Sequence, residues 1–540
     1  MVHVRDAGIE DVEAIRDVFL ACYEHDYPYQ EFYDTHHLTK LVFSDDALML
    51  VAEHEGKVVG TASVILEVGA YSDLVGEFGR LGVLPEARNL GLGKRLMQER
   101  LWRVRDRLHV GLIDGRVAHP FTQRIAEGHG FAVVGFAPLK MLLARRESLA
   151  LLVQYFGDAL ALRRNHPRII PEVYPIAHLA TQHLGIPLDA IVDESEPAYP
   201  QGSDFDLQEL TTSGYASLLR IERGRTRRRE ILGPTRLHYG YFKVRARKSR
   251  YLIARQRGGI LGAVGLTIDP MEKVVRIFEL ISLNDEVIRF LLAAVERLCR
   301  TEWGTYFIEV DVSAHAPRMQ RTLLELGFLP YGFVPALNFD EVERIDVVKM
   351  ARLLGPLELD PFQLDERCQA MADVVLRGFQ QRCIVPRVAE VVQQVPLFEG
   401  LNEEQVLRLA GCCSVRQFQT GDSVFARGDE GLEMHVVLAG SARVQAGESG
   451  KAVGSVGPGE CLGEIAILNG TRHSATVVCQ DPVETAVLTA RDLHELVRQR
   501  PDIGIVLYRN VAIGLGQKLW RTGLARAEDQ SSTDDLRDLA

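Results

Sequence analysis

The amino-acid sequence predicts a multidomain protein of the α/β plus α+β class: two mixed α/β domains of one design, followed by a β jelly roll with a C-terminal helix. Three observations support this prediction. The 540 residues suffice for three or four domains, at about 150 residues for each domain. Two segments from the first half of the chain recur after residue 200, and short strands separated by glycines begin at Val395.

Composition and charge limit the classes of function. The chain has 62 Lys and Arg against 73 Asp and Glu, a net charge of −11 with neutral histidines, so its surface as a whole is not expected to coat nucleic acid or an anionic membrane. The N-terminal segment is charged from Arg5 onward and no apolar run approaches ~18 residues, so we expect neither a signal peptide nor a membrane span. Eight cysteines without CxxC spacing favour a reducing, cytoplasmic location and no metal site.

The first domain is predicted to begin with a strand and a helix. Residues 2–5 alternate like a strand, and Asp11 precedes the apolar stripe of an amphipathic helix. A hairpin follows over 48–66 with its turn at Glu55-Gly56. A strand over 77–83 then leads into a glycine-bearing loop and a helix whose apolar side is formed by Leu92, Leu96, Met97, Leu101, Val104 and Leu108.

An internal repeat relates this domain to the middle of the chain. Residues 50–67 align without a gap with 252–269, and GFAVVGFAP at 130–138 aligns with GFLPYGFVP at 327–335. The alternative is chance similarity, which the similar offsets of 202 and 197 residues disfavour. We therefore predict two domains of the same design.

The repeat and the changes in texture divide the chain into six segments. These are an α/β domain at 1–145, a mostly helical connector at 146–204, a second α/β domain at 205–352, a helical linker at 353–394, a β jelly roll with its C-terminal helix at 395–523, and an acidic tail at 524–540.

The segment 83–97 carries the clearest chemical signal. Arg88-Asn89-Leu90-Gly91-Leu92-Gly93 leaves a strand and opens a helix, where backbone N–H groups lack intrahelical partners and can hold phosphate. We expect the two glycines to admit a pyrophosphate close to the backbone, and Lys94 or Arg95 to add positive charge. An isolated G-x-G is more often a tight turn, but its place between strand and helix favours an anion site.

This segment resembles the coenzyme A loop of the GCN5-related N-acetyltransferase (GNAT) superfamily, Arg/Gln-x-x-Gly-x-Gly/Ala, at every position. The resemblance covers about 1–145. It implies that acetyl-CoA lies along the preceding strand, that its pantetheine pairs with the backbone around Leu81 to Val83, and that its pyrophosphate lies on the amides of 89–94.

An acceptor amine needs a base, because a free ammonium has a pKa near ~10.4. Glu77, eleven residues before Arg88, matches the strand-four glutamate of histone-type members; a solvated strand-edge glutamate is the alternative. The family's tyrosine acid is replaced by Ala126. The groups that could protonate the leaving thiolate instead are Tyr33, Tyr71, His119 and His129, each with an ordinary structural role as the alternative.

The second domain is interpreted as a degenerate acetyltransferase-like copy. Its strand over 274–283 passes through Asn284-Asp285 directly into a helix, with no glycine to admit a pyrophosphate. Basic runs at 223–229 and 243–250 engage phosphate or an acidic partner in one interpretation. The other, a solvated charged face, is favoured because no aromatic ladder accompanies them.

Residues 397–480 resemble the cyclic nucleotide-binding domain of catabolite activators and protein kinase regulatory subunits. Gly463-Glu464-Ile465 matches the start of the phosphate cassette, and the segment from Ser474 matches its end. The resemblance implies that Glu464 accepts a hydrogen bond from the ribose 2′-hydroxyl. The family's phosphate-binding arginine is replaced by His473, preceded by Arg472. Either Arg472 holds the phosphate of cyclic AMP, or binding is weak, or the domain works without this ligand.

Together the resemblances imply an acetyl-CoA-dependent N-acetyltransferase gated by a cyclic nucleotide sensor. Mycobacterial cyclic-AMP-regulated lysine acetyltransferases combine the same two modules in the opposite order, which favours a protein lysine as acceptor. A small-molecule amine acetyltransferase and a non-catalytic coenzyme A or cyclic nucleotide sensor are the alternatives. No helix-turn-helix follows the jelly roll, so DNA binding is not expected.

Overall fold

The computed structural model describes residues 2–27, 29–66, 73–202, 204–224, 228–240, 248–446 and 451–513. The chain divides into two compact units, the N-terminal unit at 1–377 and the C-terminal unit at 378–540. The sequence predictions about Tyr71, Arg225, Arg227, residues 243–247 and the tail at 524–540 lie outside the described residues.

The first half of the N-terminal unit, residues 2–155, alternates strands and helices in the predicted order. Helix α1 buries Val12, Ile15, Val18 and Phe19, the stripe that its sequence predicts. The elements are β1 Val2–Asp6, α1 Val12–Tyr23, α2 Thr35–Val42, β2 Ala47–His54, β3 Lys57–Ile65, β4 Val75–Val83, α3 Leu92–Val104, β5 Val110–Arg116, α4 Phe121–Glu127, β6 Ala132–Leu142 and β7 Arg146–Tyr155.

The prediction of a mostly helical connector at 146–204 is wrong. Its first ten residues form β7, which pairs with both β5 and β6 and completes the sheet of the first half. The apolar run within β7 is buried on both faces of the sheet, and such a run does not distinguish a strand from a helix by its periodicity. The rest of the segment holds β8 Arg168–Ile169, α5 Tyr174–Leu184 and β9 Ile191–Val192.

Apart from α2 in the first half and β11 in the second, the second half, residues 206–353, repeats the element order of the first. This order is a strand, a helix, three antiparallel strands, a helix, a parallel strand, a helix and a final antiparallel pair. The elements are β10 Asp206–Glu209, α6 Thr212–Arg223, β11 Ile231–Leu232, β12 Ser249–Gln256, β13 Gly259–Asp269, β14 Val274–Ser282, α7 Asp285–Thr301, β15 Phe307–Ser313, α8 Pro317–Glu325, β16 Leu329–Asp340 and β17 Glu343–Leu353.

Both halves contribute to one 15-stranded sheet in the order β1-β2-β3-β4-β5-β7-β6-β16-β17-β15-β14-β13-β12-β10, with β11 beside β15. The halves join where Gly135 of β6 pairs with Gly332 of β16. A Cβ atom at Gly135 would lie 2.7 Å from the Tyr331 carbonyl oxygen and 2.8 Å from the Gly332 Cα atom. The second glycine of the repeated GF-x-x-x-GF motif is therefore required for the close approach of the two halves.

The C-terminal unit is a sandwich of two four-stranded sheets, ordered β18-β25-β20-β23 and β19-β24-β21-β22. Its core is formed by side chains such as Phe398, Met434, Val436 and Leu488. The elements from the linker onward are α9 Glu366–Val392, α10 Glu403–Gly411, β18 Ser414–Phe418, β19 Ser423–Phe425, β20 Glu433–Ala439, β21 Ala442–Ala446, β22 Lys451–Val456, β23 Cys461–Leu462, α11 Glu464–Asn469, β24 Ala475–Cys479, β25 Val483–Thr489 and α12 Ala490–Gln499.

Two helical predictions need correction. The expected linker helix at 353–394 starts only at Glu366, because the preceding segment contains Pro356 and Pro361 and forms neither helix nor strand after Leu353. The expected continuous helix at 490–523 is broken at Arg500, which precedes Pro501, and a second helical stretch follows over 501–513. Among the described helices, no segment combines the length and apolar character needed to cross a membrane.

Candidate functional site

The sheet of the first half opens between β4 and β5. The parallel ladder joins Val75–Glu77 to Val110–Leu112 and ends there. On its other edge β4 has a bulge, since Gly82 pairs with Thr61 but Gly79 already pairs with Ser63. Beyond Glu77 no β4–β5 pair is described, although β4 continues to Val83 and β5 to Arg116. We call this gap between the unpaired parts of the two strands the cleft, with its narrow end at Glu77 and its wide end where β4 ends; the predicted pantetheine-binding residues Leu81 and Val83 lie on its β4 side.

The predicted phosphate loop lies at the wide end of this cleft. Residues Pro85–Leu90 form a 3₁₀ turn, and Gly91, with φ +70°, is the N-cap of α3. Arg88, Asn89, Leu90, Gly91 and Lys94 are exposed, whereas Leu92 is buried. The amides of the first turn of α3 have no intrahelical partner, so the loop offers donors to an anion.

The two glycines of the loop have different roles. A Cβ at Gly91 would meet no atom within 4 Å, so this glycine is required by its positive φ and leaves open space before the amides. A Cβ at Gly93 would lie 2.9 Å from Ile125 Cδ1 of α4. Gly93 therefore also allows the close packing of α3 on α4, and its predicted place beside the pyrophosphate stays a prediction.

Glu77 lies at the narrow end of the cleft, and its carboxylate is held by Arg80 at 3.0 Å. Arg80 stands in the β4 bulge with φ +54°, and its guanidinium lies over the rings of Tyr29 and Phe32 at 5.5 and 5.7 Å. Burial disfavours the charge of Arg80, yet the Glu77 carboxylate holds the guanidinium pKa above its usual value. Arg80 could not be singled out from the sequence, because its contact with Glu77 depends on the bulge.

The predicted substitutes for the missing acid lie in different surroundings. Ala126 is fully buried in α4. The Tyr33 hydroxyl accepts a hydrogen bond from the Tyr27 amide, and His129 Nδ1 contacts the Ile125 carbonyl, so both have structural partners. His119 follows β5, and burial, then the charge of Arg116, lowers its pKa.

The second half lacks both the glycine loop at the helix start and a glutamate at the position of Glu77 on the preceding strand. The side chain of Asn284 caps α7 by accepting from the Val287 amide at 3.2 Å, and the first turn of α7 carries Asp285 and Glu286. Two carboxylates at this helix N-terminus oppose an anion. Arg276 is the third residue of the β14–β15 ladder, the position that Glu77 has in the β4–β5 ladder.

A set of potential metal ligands was not anticipated from the sequence. One donor atom each of Glu127, Asp365 and Cys368 lie within 4.8 Å of one another, and burial together with Asp365 raises the pKa of Glu127 to about 7. The three residues are far apart in sequence, so no spacing pattern could reveal them. They could hold a metal ion, but they do not line the cleft between β4 and β5.

In the C-terminal unit, the predicted cassette surrounds the short helix α11. Gly463, with φ +79°, precedes this helix, Glu464 is its first residue, and Ile465 is 37% exposed. Arg472 and Ser474 are exposed on the segment that leads to β24. The Arg472 guanidinium donates to the Gly428 carbonyl at 2.6 Å.

The His473 ring is not exposed at the cassette, as a phosphate ligand in place of the family's arginine would be. The imidazole is buried and stacks on Phe425 with ring centroids 3.8 Å apart. Burial lowers the His473 pKa, against the opposing charges of Asp429 and Glu433. Arg472, one of the alternatives that the sequence left open, is therefore an exposed cation next to the cassette.

Comparison with known proteins identifies both modules. The acetyltransferase (GNAT) family matches residues 12–126, and the cyclic nucleotide-binding domain matches residues 415–500. The chain therefore contains a GNAT domain and a cyclic nucleotide-binding domain. Neither of these two matches extends over the second half of the N-terminal unit, residues 206–353.

Three similar proteins illustrate the range of relatives. The cAMP-dependent protein kinase regulatory subunit of Mycosarcoma maydis is 28% identical over 106 residues, 19% of this chain and 20% of the relative. The cyclic AMP receptor protein of Thermus thermophilus is 29% identical over 127 residues, 23% of this chain and 57% of the relative. The solved catabolite activator protein of Thermus thermophilus is 30% identical, covering 24% of this chain and 60% of that one, with a TM-score of 0.22. The chain spans less than two thirds of each.

Proposed function

We propose that the first half of the N-terminal unit is an acetyl-CoA-dependent N-acetyltransferase. The observation that carries this proposal is the cleft between β4 and β5, which has the glycine-capped start of α3 at its wide end and Glu77 at its narrow end. A phosphate-binding helix terminus and a carboxylate at opposite ends of one cleft suit a long anionic thioester and an amine.

The residues of the cleft have separate roles in the proposed reaction. The amides of residues 89–94, with Arg88 and Lys94, hold the pyrophosphate, and the free edge of β4 at Leu81 and Val83 pairs with the pantetheine. The amine nitrogen attacks the thioester carbonyl carbon, so that an N–C bond forms and the C–S bond breaks. Glu77 accepts the amine proton, Arg80 orients the carboxylate, and coenzyme A leaves as a thiolate.

Replacement of the base tests the proposal. Glu77→Gln keeps a hydrogen-bond acceptor for Arg80 but removes the basic oxygen, so turnover of acetyl-CoA should fall by about 10²–10⁴. The calorimetric affinity for acetyl-CoA should not change. Turnover within twofold of the wild type at neutral pH would assign the base to another group.

We further propose that a cyclic nucleotide is the effector of the C-terminal unit and that Arg472 holds its phosphate. The proposal is supported by the match over 415–500, by Glu464 at the start of α11, and by the exposed Arg472 guanidinium. The buried His473 ring is uncharged at neutral pH because its pKa is lowered. It supplies packing rather than charge.

Substitutions of Arg472 and His473 should have opposite effects on the binding of cyclic AMP. Arg472→Ala should abolish the heat of binding of cyclic AMP, whereas His473→Asn should leave a measurable affinity. If His473 were the phosphate ligand, binding would strengthen only as pH falls below its unperturbed pKa of ~6.5, since the folded protein holds the ring neutral above it. Isothermal titration with cyclic AMP and cyclic GMP at pH 8 and 6 separates these outcomes, and no heat at either pH would contradict nucleotide sensing.

A further inference from the structure

Glu77 lines a cavity of about 100 Å³ whose walls come from both halves of the N-terminal unit. The first half contributes Glu77, Leu112, Asp114 and Lys140, among other residues. The second half contributes charged side chains from three of its strands: Arg276 on β14, Glu309 and Asp311 on β15, and Lys349 on β17.

The lining positions are related by the repeat. Leu112 pairs with Glu77 across the β4–β5 ladder, and Glu309 has the same place beside Arg276. On the next strand pair, Asp114 lies opposite Leu151, and Asp311 lies opposite Lys349. The second half therefore presents charged side chains at positions where the first half has leucines.

Each basic group of this wall already has a carboxylate partner. Lys140 Nζ lies 3.2 Å from Asp114 and 3.1 Å from Glu309. Arg276 Nε donates to Glu309 at 2.6 Å, and Lys349 Nζ lies 2.9 Å from both oxygens of Asp311. Burial alone would lower the pKa of Lys140, but Asp114 and Glu309 hold it well above its usual value.

Carboxylates outnumber basic groups in this lining. The carboxylates are Asp73, Glu77, Asp114, Glu309 and Asp311, and the basic residues are Lys140, Arg276 and Lys349. Asp73 is occupied by the Phe339 amide and the Asn338 side chain. Asp114 and Asp311 remain 37% and 28% exposed, so their oxygens are accessible to a cation in the cavity. Glu77 is itself held by Arg80, which lies outside the lining, so the remaining lining has four carboxylates and three basic groups. An acceptor with an anionic group would meet this excess of negative charge without finding an unpaired cation among the lining residues that the structure describes.

The size of the cavity favours a small molecule. An apolar cavity of about 150 Å³ accommodates benzene, so about 100 Å³ corresponds to a few non-hydrogen atoms. We propose that this cavity is the acceptor site and that it takes one end of an aliphatic di- or polyamine, with the second half supplying the anionic wall. The inference rests on the proposed acetyltransferase function, because Glu77 would deprotonate the bound amine.

Binding and turnover of three matched acceptors test the inference on the full chain. These are 1,4-diaminobutane, butylamine, which lacks the second charge, and a lysine-containing peptide. The diamine should have a kcat/KM at least 10-fold above that of the other two. Asp311→Asn should raise the KM for the diamine at least 10-fold with kcat changed less than threefold. Exposed Glu302 of the same half serves as control, and Glu302→Gln should change neither value.

Direct binding separates this inference from the proposed function. Thermal shift should show stabilisation by 1,4-diaminobutane in the wild type and in Glu302→Gln but not in Asp311→Asn, and Asp311→Glu should restore it, which controls for a folding defect. Equal use of the diamine by wild type and Asp311→Asn, or a higher kcat/KM for the peptide, would overturn the assignment while acetyl-CoA still binds. Absence of acetyl-CoA binding would instead contradict the proposed function.

Discussion

The two halves of the N-terminal unit share one order of strands and helices but differ in the residues that suit catalysis. The helices α3 and α7 follow the equivalent strands β4 and β14. The start of α3 has Gly91 and amides without an intrahelical partner, whereas the start of α7 has the Asn284 cap with Asp285 and Glu286. On the strand itself, Arg276 stands where the first half has Glu77. The fold therefore supplies the cleft, and a few local residues decide what the cleft can bind.

The largest expected effect is a loss of acetyl-CoA affinity on substitution of Gly91. It would distinguish the loop of the first half from an ordinary glycine turn. Gly91→Asp would place a negative charge before the amides proposed to hold the pyrophosphate, so the Kd for acetyl-CoA should rise about 100-fold, or about 2.7 kcal/mol. Gly258→Asp is the matched control in the second half, since Gly258 also has positive φ, +82°, and open space around its Cβ position. Calorimetry should give the control a wild-type affinity, and equal losses in both variants would point to strain rather than to the loop.

The join between the halves should respond unequally to two alanine substitutions. Gly135→Ala forces a Cβ against the backbone of Tyr331 and Gly332 and should cost about 1–3 kcal/mol. At Gly332 a Cβ would lie 3.3 Å from its nearest neighbour, the Val134 carbonyl oxygen, so Gly332→Ala should cost less. Urea unfolding of both variants measures the difference, and the reverse order would contradict the described packing at the join.

A smaller effect concerns His119 and His315, which lie two residues before the last helix of each half. Burial, then the charges of Arg164 and Arg163, lowers the pKa of His315 to about 4. Its Nε2 atom has no hydrogen-bond partner among the described residues. Below the unfolded-state pKa of ~6.5, the unfolded chain binds a proton that the folded chain does not, so stability present above pH 6.5 is lost as pH falls toward 4.

For His315 this loss should be about 1 kcal/mol between pH 7 and 5, after allowance for its partial exposure. His315→Asn should flatten the pH dependence of the free energy of unfolding over this range, and more so than His119→Asn, whose pKa is lowered by a smaller set of cations. An unchanged slope in His315→Asn would show that the histidine titrates normally in the folded protein.

Local sequence patterns predicted the parts of the fold that depend on neighbouring residues. The hairpin at Glu55-Gly56 and the loop at Gly91 each depend on a few consecutive residues, and the structure has both. The strand β7 was missed because its buried apolar run has no distinctive period. Arg80 was missed because a bulge, which sequence does not specify, brings it to Glu77.

The cavity residues could not be inferred from spacing, because their placement depends on strand register. Alignment of the repeat by its hairpins gives an offset of 202 and places Glu279 at the position of Glu77. The parallel ladders give an offset of 199, since Val274 begins β14–β15 where Val75 begins β4–β5. The β3–β4 and β13–β14 pairs have their bulges at different places, and only the structure therefore identifies Arg276 as the counterpart of Glu77.

The stoichiometry of acetyl-CoA binding tests the contrast between the two halves most directly. Isothermal titration of the full chain should give one site per chain, because one half has the open glycine loop and the other has an acidic, capped helix start. The site should be lost in Gly91→Asp and retained in Asn284→Ala. Two sites per chain, or a single site that survives Gly91→Asp with unchanged affinity, would contradict the account.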